Sequence, residues 1–301
     1  MEWIIFGIVI LGMLYLDLGV LNRKAHTVGM REALLWSAVW IGAALLFNVM
    51  VYYFHGPQRA LQFFTAYLIE KALSIDNLFV FLLIFTHFRV PAEFQHKVLF
   101  WGILGALVFR AIFIAAGVAL IHHFQFMFYV FGAILIWSGV RFAVEKEKEV
   151  HPEKNPVVAA FRRFFPVTME NPEGRFLVKK DGKTYLTVLF LVLMTVETTD
   201  LVFALDSIPA VLAVSLDPFI VYTSNIFAIL GLRALFFALA ALMKIFRHLH
   251  YGLAVILVYI GVKMIVMEFV HIPIGASLAV IALSIAISIL TSVASLKRPG
   301  V

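Results

Sequence analysis

Apolar residues run through this chain in long stretches with few polar interruptions. A half-buried strand would alternate and a surface helix would show one apolar face. Nine such stretches can be delimited, at 3–21, 31–54, 60–85, 97–121, 124–144, 185–214, 218–243, 249–270 and 274–296. A helix needs roughly 20 residues to cross a bilayer, and in lipid the backbone must satisfy its own hydrogen bonds. The pattern therefore predicts an all-α, polytopic membrane protein of about nine transmembrane helices, a single transmembrane domain spanning 1–301. The third and sixth stretches exceed a perpendicular crossing, which predicts tilt or a break. The first begins with Glu2 and carries Asp17 within its apolar run, so it does not read as a cleavable signal peptide.

Composition agrees: 63% of the 301 residues are hydrophobic and 14% are charged, against about half and about a quarter in soluble chains. The net charge of +6 would suit nucleic acid, but its distribution points elsewhere. Arg23, Lys24 and Arg31 follow the first stretch, Arg89 and Lys97 the third, Lys244 and Arg247 the seventh, Lys297 and Arg298 the ninth. Ten Lys or Arg lie between Arg141 and Lys183, while the alternate loops hold Arg59 and little else basic. The positive-inside rule then places the N-terminus outside and the C-terminus in the cytoplasm, with no nucleic-acid partner. Cysteine is absent, which removes disulfides, zinc-thiolate sites and thiol catalysis.

The one sizeable aqueous segment is the cytoplasmic loop 145–183, a possible docking surface for a protein partner. Pro156 to Phe165 reads as an amphipathic helix, and Phe176 to Leu186 as a hairpin around Asp181-Gly182. No catalytic constellation occurs there, nor a Ser–Lys, zincin or aspartyl-protease pattern elsewhere, so the chain is not expected to be an enzyme. The pattern leaves the oligomeric state open.

The second half echoes the first. Phe109-Arg110-Ala-Ile-Phe113 matches Leu232-Arg233-Ala-Leu-Phe236, and Leu135 to Arg141 matches Leu257 to Lys263. Glu70 with Asp76-Asn77 matches Asp200 with Asp206-Ser207 at the same spacing. The offsets are 123, 122 and 130 residues, in register. The units are three helices each, repeat A at 60–144 and repeat B at 185–270. An odd number of crossings separates counterparts, so the repeats thread the membrane in opposite senses, as in secondary transporters whose sites lie at the repeat interface. Duplication within a non-transporting bundle is the alternative.

Six carboxylates fall at membrane depth, Asp17, Glu70, Asp76, Glu197, Asp200 and Asp206, against four cations, Lys71, Arg110, Arg233 and Lys263. Each such charge costs roughly 2.5–3.5 kcal/mol on insertion scales. Complete pairing still leaves a surplus of two negative charges, which protons or a bound cation would neutralise. Glu70, Ser74 and Asn77 line one helical face; Glu197, Asp200 and Ser207 share another. Asp76 lies about 120° around the axis from Glu70, so both converge only if the helix unwinds or a third helix meets Asp76. Pro209 favours a break in the sixth stretch. All ten histidines lie in or near loops, so the candidate site is oxygen-only and suits Mg²⁺, Ca²⁺ or Mn²⁺. Met194 near Glu197 is a soft contact favouring manganese or an ordinary packing residue. Asn225 either caps the start of the seventh stretch or supplies a ligand. Arg110 and Arg233 read as structural cations, or as counter-charges for the empty site.

Several of these segments resemble the TerC family. They are Glu70-Lys-Ala-Leu-Ser-Ile-Asp76-Asn77-Leu-Phe-Val-Phe81, Glu197-Thr-Thr-Asp200-Leu-Val-Phe-Ala-Leu-Asp206-Ser-Ile-Pro209, Thr223-Ser-Asn225 through Arg233, and Leu16-Asp17 through His26. They span nearly the whole chain, most like the TerC/Alx branch, with no departure at the acidic positions. The resemblance implies manganese efflux across the bacterial inner membrane and kinship with the lysine-exporter superfamily, with its paired three-helix repeats. The family's name refers to tellurite resistance. Matched motifs make Glu70, Asp76, Asn77, Asp200 and Asp206 the expected ion-site positions, with Asp17 and Glu197 behind them and Ser74, Ser207, Asn225, Arg110 and Arg233 in support. The expected function is export of Mn²⁺ by alternating access in exchange for H⁺ or Na⁺, without an organic cofactor. The rival is a membrane scaffold or assembly factor of a tellurite-resistance or stress system, its charges paired structurally.

Overall fold

The structure is a computed structural model and describes residues 2–15, 29–144, 155–168, 174–180, 182–242, 248–270 and 272–296. The chain is mostly helical. Its helices are α1 (Glu2–Tyr15), α2 (Met30–His55), α3 (Pro57–His87), α4 (Ala92–His123), α5 (Met127–Val144), α6 (Pro156–Phe164), α7 (Val188–Leu212), α8 (Pro218–Leu230), α9 (Leu232–Leu242), α10 (Leu249–Val266) and α11 (Ile274–Leu296). Three short strands, β1 (Val167–Thr168), β2 (Leu177–Lys180) and β3 (Lys183–Thr187), lie between α6 and α7.

Six helices, α2, α4, α5, α7, α10 and α11, are long and apolar enough to cross a membrane. The α8–α9 pair makes a seventh if taken as one broken span. Helix α3 is 31 residues long but carries Glu70, Lys71 and Asp76 in its interior. Large apolar side chains such as Leu46, Tyr53, Phe54 and Trp137 face outward around this bundle, the reverse of a soluble surface and the arrangement that lipid favours. Gly56, at φ 86°, turns the chain between α2 and α3 in a conformation that a side chain would strain.

Three helix pairings organise the core. Along α3 and α8, Arg59 meets Asp217, Gln62 meets Ser215 and Lys71 meets Ala228, so the two run parallel. Along α4 and α7, Gly102 faces Val196, Gly105 faces Glu197 and Gly117 faces Leu212, again parallel. Helices α5 and α10 run antiparallel: Gly132 lies against Gly261, and Gly139 against Ala254 and Val258. A Cβ on Gly261 would stand 2.6 Å from the Gly132 carbonyl oxygen, so only glycine permits this backbone approach.

Helix α6 rests on the start of α7 through buried Val158, which packs with Leu186 and Leu191. The expected hairpin is present: β2 pairs antiparallel with β3, with Lys180 opposite Lys183 and Gly182 at φ 74°; Asp181 lies outside the described residues. Strand β1 adds a parallel partner to β3 that the pattern did not indicate. Strand β3 leads straight into α7, whose first turn Thr187 caps by accepting from the Phe190 N–H. Lys97 of α4 donates to the Gly174 carbonyl, tying this segment to a second helix.

Of the alternatives of tilt or break expected for the third and sixth stretches, the break is absent from both. Helix α7 continues through Pro209 to Leu212. Proline there falls in the last turn, where few intrahelical bonds remain to be lost. The break lies instead in the seventh stretch, at Gly231, where α8 and α9 meet at 41°. Helix α3 is likewise continuous from Pro57 to His87, so no unwinding brings Asp76 round to Glu70.

Candidate functional site

The spacing Glu70, Ser74, Asn77 puts three polar side chains on one face of α3, and all three are buried. That face looks into the junction of α3, α4, α7 and α8. Arg110, 1% exposed, enters from α4 and gathers the polar groups there around its guanidinium. Its Nη1 donates to Glu70 Oε1 from α3. Its Nη2 and Nε grip the Asp200 carboxylate of α7 at 3.1 and 3.3 Å. Its Nη1 also reaches Ser207 Oγ at 3.3 Å and Asn225 Oδ1 of α8 at 3.4 Å.

The planar guanidinium suits this task because its donors point in fixed, forked directions and it stays charged at any physiological pH. One cation faces two carboxylates, so with both ionised the cluster carries a formal charge of −1. Its polar capacity is not exhausted. Among the described residues, Glu70 Oε2, Ser74 Oγ, Asn77 Nδ2 and Asn225 Nδ2 are buried without a hydrogen-bond partner. Such atoms are costly in a dry interior and rare in folded proteins. Two of them, Glu70 Oε2 and Asn225 Nδ2, belong to residues that already bond to Arg110, and Ser74 and Asn77 follow Glu70 along the same face of α3.

Other expected residues lie around this point rather than in it. Asp206 turns to α5, where Ser138 Oγ donates to it at 2.6 Å. This fits the sequence-derived placement of Asp200 with Ser207 on one face and Asp206 on another. Glu197, one turn before Asp200, lies against Gly105 of α4, where an added Cβ would collide with its carboxylate. Its Oε2 is buried and unpaired among the described residues. Asp76 is 8% exposed on α3, and Arg233 is buried two residues beyond the break. Asp17 lies outside the described residues. Among the described residues, no three His, Asp or Glu side chains stand close enough to hold a metal ion.

Asn225 does not cap the seventh stretch. Asp217 does so, accepting from the Phe219 N–H at 3.0 Å, while Asn225 sits mid-helix with its amide turned to Arg110. Lys263 remains buried near the end of α10, donating to Ser277 at 3.0 Å. Ser138 and Gly105 escaped the sequence reading. Ser138 lies inside the matched Leu135–Arg141 segment, and that match was the available signal. Nothing in the sequence pointed from Gly105 to Glu197.

A family model described as "Integral membrane protein TerC family" matches residues 55–299. "Uncharacterized membrane protein STKORF319" of Myxococcus xanthus is 49% identical over 290 residues, covering 96% of this chain and 91% of that protein. "Putative membrane-bound redox modulator Alx" of Escherichia coli K12 is 46% identical over 288 residues, covering 93% of this chain and 90% of that protein. A Rickettsia bellii membrane protein is 41% identical over 293 residues, covering 97% of each chain. No solved structure matches the chain. The family description and these names designate membrane proteins and a modulator, not enzymes.

Proposed function

The chain belongs to the TerC family of integral, multi-pass membrane proteins, and from that premise we propose that it exports a hard divalent cation, Mn²⁺ first, from the cytoplasm. The observation that carries this reading is the buried cage of Glu70, Asp200, Ser207 and Asn225 oxygens, with Arg110 at its centre. All these donors are hard oxygens, the set that suits Mn²⁺, Mg²⁺ or Ca²⁺. In this conformation Arg110 stands where the ion would stand. The exported cation competes with the guanidinium for the same oxygens, and the pairs break as it enters. Glu197, Asp76, Asn77, Ser74 and Asp206 are the neighbouring polar positions, with Asp17 as a further one from the first stretch.

The packing supports a transporter built from repeats 60–144 and 185–270. Exchanging counterparts turns the α3–α8 pairing into the α7–α4 pairing, and both are parallel. Under the 122-residue offset, Gly139 maps to Gly261 and Gly132 to Ala254. The Gly139–Ala254 contact thereby becomes the Gly261–Gly132 contact. Counterpart helices α5 and α10 are antiparallel, as opposite threading requires. Nine spans, with the N-terminus outside and the C-terminus and loop 145–183 in the cytoplasm of a bacterial inner-membrane protein, complete this reading.

Moving two positive charges outward against 100 mV costs roughly 4.6 kcal/mol, so exchange for protons or Na⁺ is the economical coupling. The scaffold reading draws support from the same geometry, since Arg110 already satisfies parts of Glu70 and Asp200. The Escherichia coli relative's description as a redox modulator adds no thiol chemistry here, because this chain has no cysteine. The test is uptake into inverted membrane vesicles of Mn²⁺, Mg²⁺ and Ca²⁺ in turn, with internal pH recorded. Mn²⁺ uptake with proton release is expected; no uptake of any divalent leaves the scaffold.

A further inference from the structure

The α8–α9 break is unlike an ordinary helix end. Ala228 is ten residues beyond Pro218, about 15 Å along α8 at 1.5 Å per residue. With Pro218 at the membrane boundary, as in the proposed nine-span arrangement, that is half of a hydrocarbon core roughly 30 Å thick. A helix ending at that depth presents carbonyls without N–H partners and the negative end of its macrodipole. In broken-span transporters such half-helix C-termini coordinate the coupling cation.

Here a side chain meets that end. Lys71 Nζ, from α3, donates to the Ala228 carbonyl at 3.2 Å. Among the described residues no carboxylate pairs with this ammonium; its hydrogen-bond partner is the helix end. Gly231, at the break, makes room for it: an added Cβ would stand 2.6 Å from Lys71 Nζ and 3.3 Å from Trp40 Cβ of α2. Gly231 adopts an ordinary right-handed conformation, with φ −77°, so space and not backbone freedom requires glycine there.

The arrangement is coupled to the arginine cage by direct bonds. Glu70 and Lys71 are consecutive on α3, one pointing to Arg110 and the other to Ala228. On α8, Asn225 reaches Arg110 and Ala228, three residues on, accepts Lys71. Parallel α3 and α8 are therefore pinned at adjacent turns, one pin in the cage and one at the break.

We propose that the C-terminus of α8 is a monovalent-cation site filled by the chain's own Lys71 ammonium. As a positioning residue, Lys71 holds the α8–α9 break in register with the Glu70–Arg110–Asp200 cage. Its consequence for transport rests on the exporter reading; occupancy of the site does not.

The test uses the full chain in lipid nanodiscs. Lys71→Ala removes the ammonium and leaves a space about its size, and unfolding temperature is read with Na⁺, methylammonium or choline chloride at matched ionic strength. The variant is expected to unfold several degrees below wild type. Methylammonium or Na⁺ should restore most of the loss, bulky choline should not, and wild type should respond to none of them. Lys71→Arg, which keeps a cation, should remain close to wild type. No loss in Lys71→Ala, or a loss that choline repairs as well as methylammonium, overturns the proposal. Should Lys71→Ala fail to fold, Gly231→Ala decides, because it displaces Nζ while keeping the charge. It is expected to lower the unfolding temperature, and a wild-type value overturns the proposal. If wild type transports Mn²⁺, Lys71→Ala should lose about tenfold in turnover with KM unchanged, and methylammonium should recover it. A wild type that moves no divalent ion removes the exporter reading and leaves the unfolding result to decide this one.

Discussion

Arg110 holds two carboxylates from different helices, and its removal leaves both buried and uncompensated. Breaking a buried ion pair from one side costs about 3–5 kcal/mol. Arg110→Met is therefore expected to lower the stability of the detergent-solubilised protein by that order. Asp200→Asn should cost clearly less, since it keeps hydrogen-bonding groups and leaves one carboxylate for one guanidinium. Thermal unfolding of the two variants side by side checks the ranking, and the reverse order would mean that Arg110 is not the hub. The acidic positions and their shared faces were legible in the sequence, because helical spacing fixes which side chains of one helix look the same way. Arg110's central place was not. Spacing within α4 carries no information about which side chains of α3, α7 and α8 it meets, and its match to Arg233 leaves open a structural cation or a counter-charge for the empty site.

At the scale of elements, the α5–α10 crossing depends on glycines where backbones touch. Gly261→Ala places a methyl group against the Gly132 carbonyl, an atom that cannot move aside. Overpacking of this kind costs about 1–3 kcal/mol. Gly139→Ala, whose Cβ would stand 2.8 Å from the Ala254 carbonyl, occupies the counterpart position and should cost a similar amount. Unfolding measurements that find one substitution harmless and the other severe would contradict the two-fold packing. The helices themselves were read closely from apolar length, since lipid imposes that length on the sequence. The breaks were not. Proline was the visible signal, yet Pro209 sits where a helix is already ending. Gly231 is an unremarkable residue in the apolar run Ile229-Leu-Gly-Leu232. Its importance comes from Lys71 on another helix, which the sequence shows only as one of four cations at membrane depth.

For the whole molecule, the proposed opposite threading of the repeats and the proposed cytoplasmic side of loop 145–183 make a topological prediction. The absence of cysteine provides a natural background for it. Gln58→Cys, at the exposed start of α3, should react with an impermeant maleimide added to intact cells. Lys179→Cys, exposed on β2, should react only in inverted vesicles. Labelling of both from the same side would break the alternation on which the nine-span reading stands. The cage itself brings Glu70 of α3 and Asp200 of α7 to a single arginine of α4, and the proposed threading would put that arginine at the interface of the two repeats. The most direct trial of that reading is Mn²⁺ uptake into inverted vesicles holding equal amounts of wild type, Glu70→Gln or Asp200→Asn. Wild type should accumulate Mn²⁺ and both folded variants should not; uptake undiminished in either variant would contradict the account.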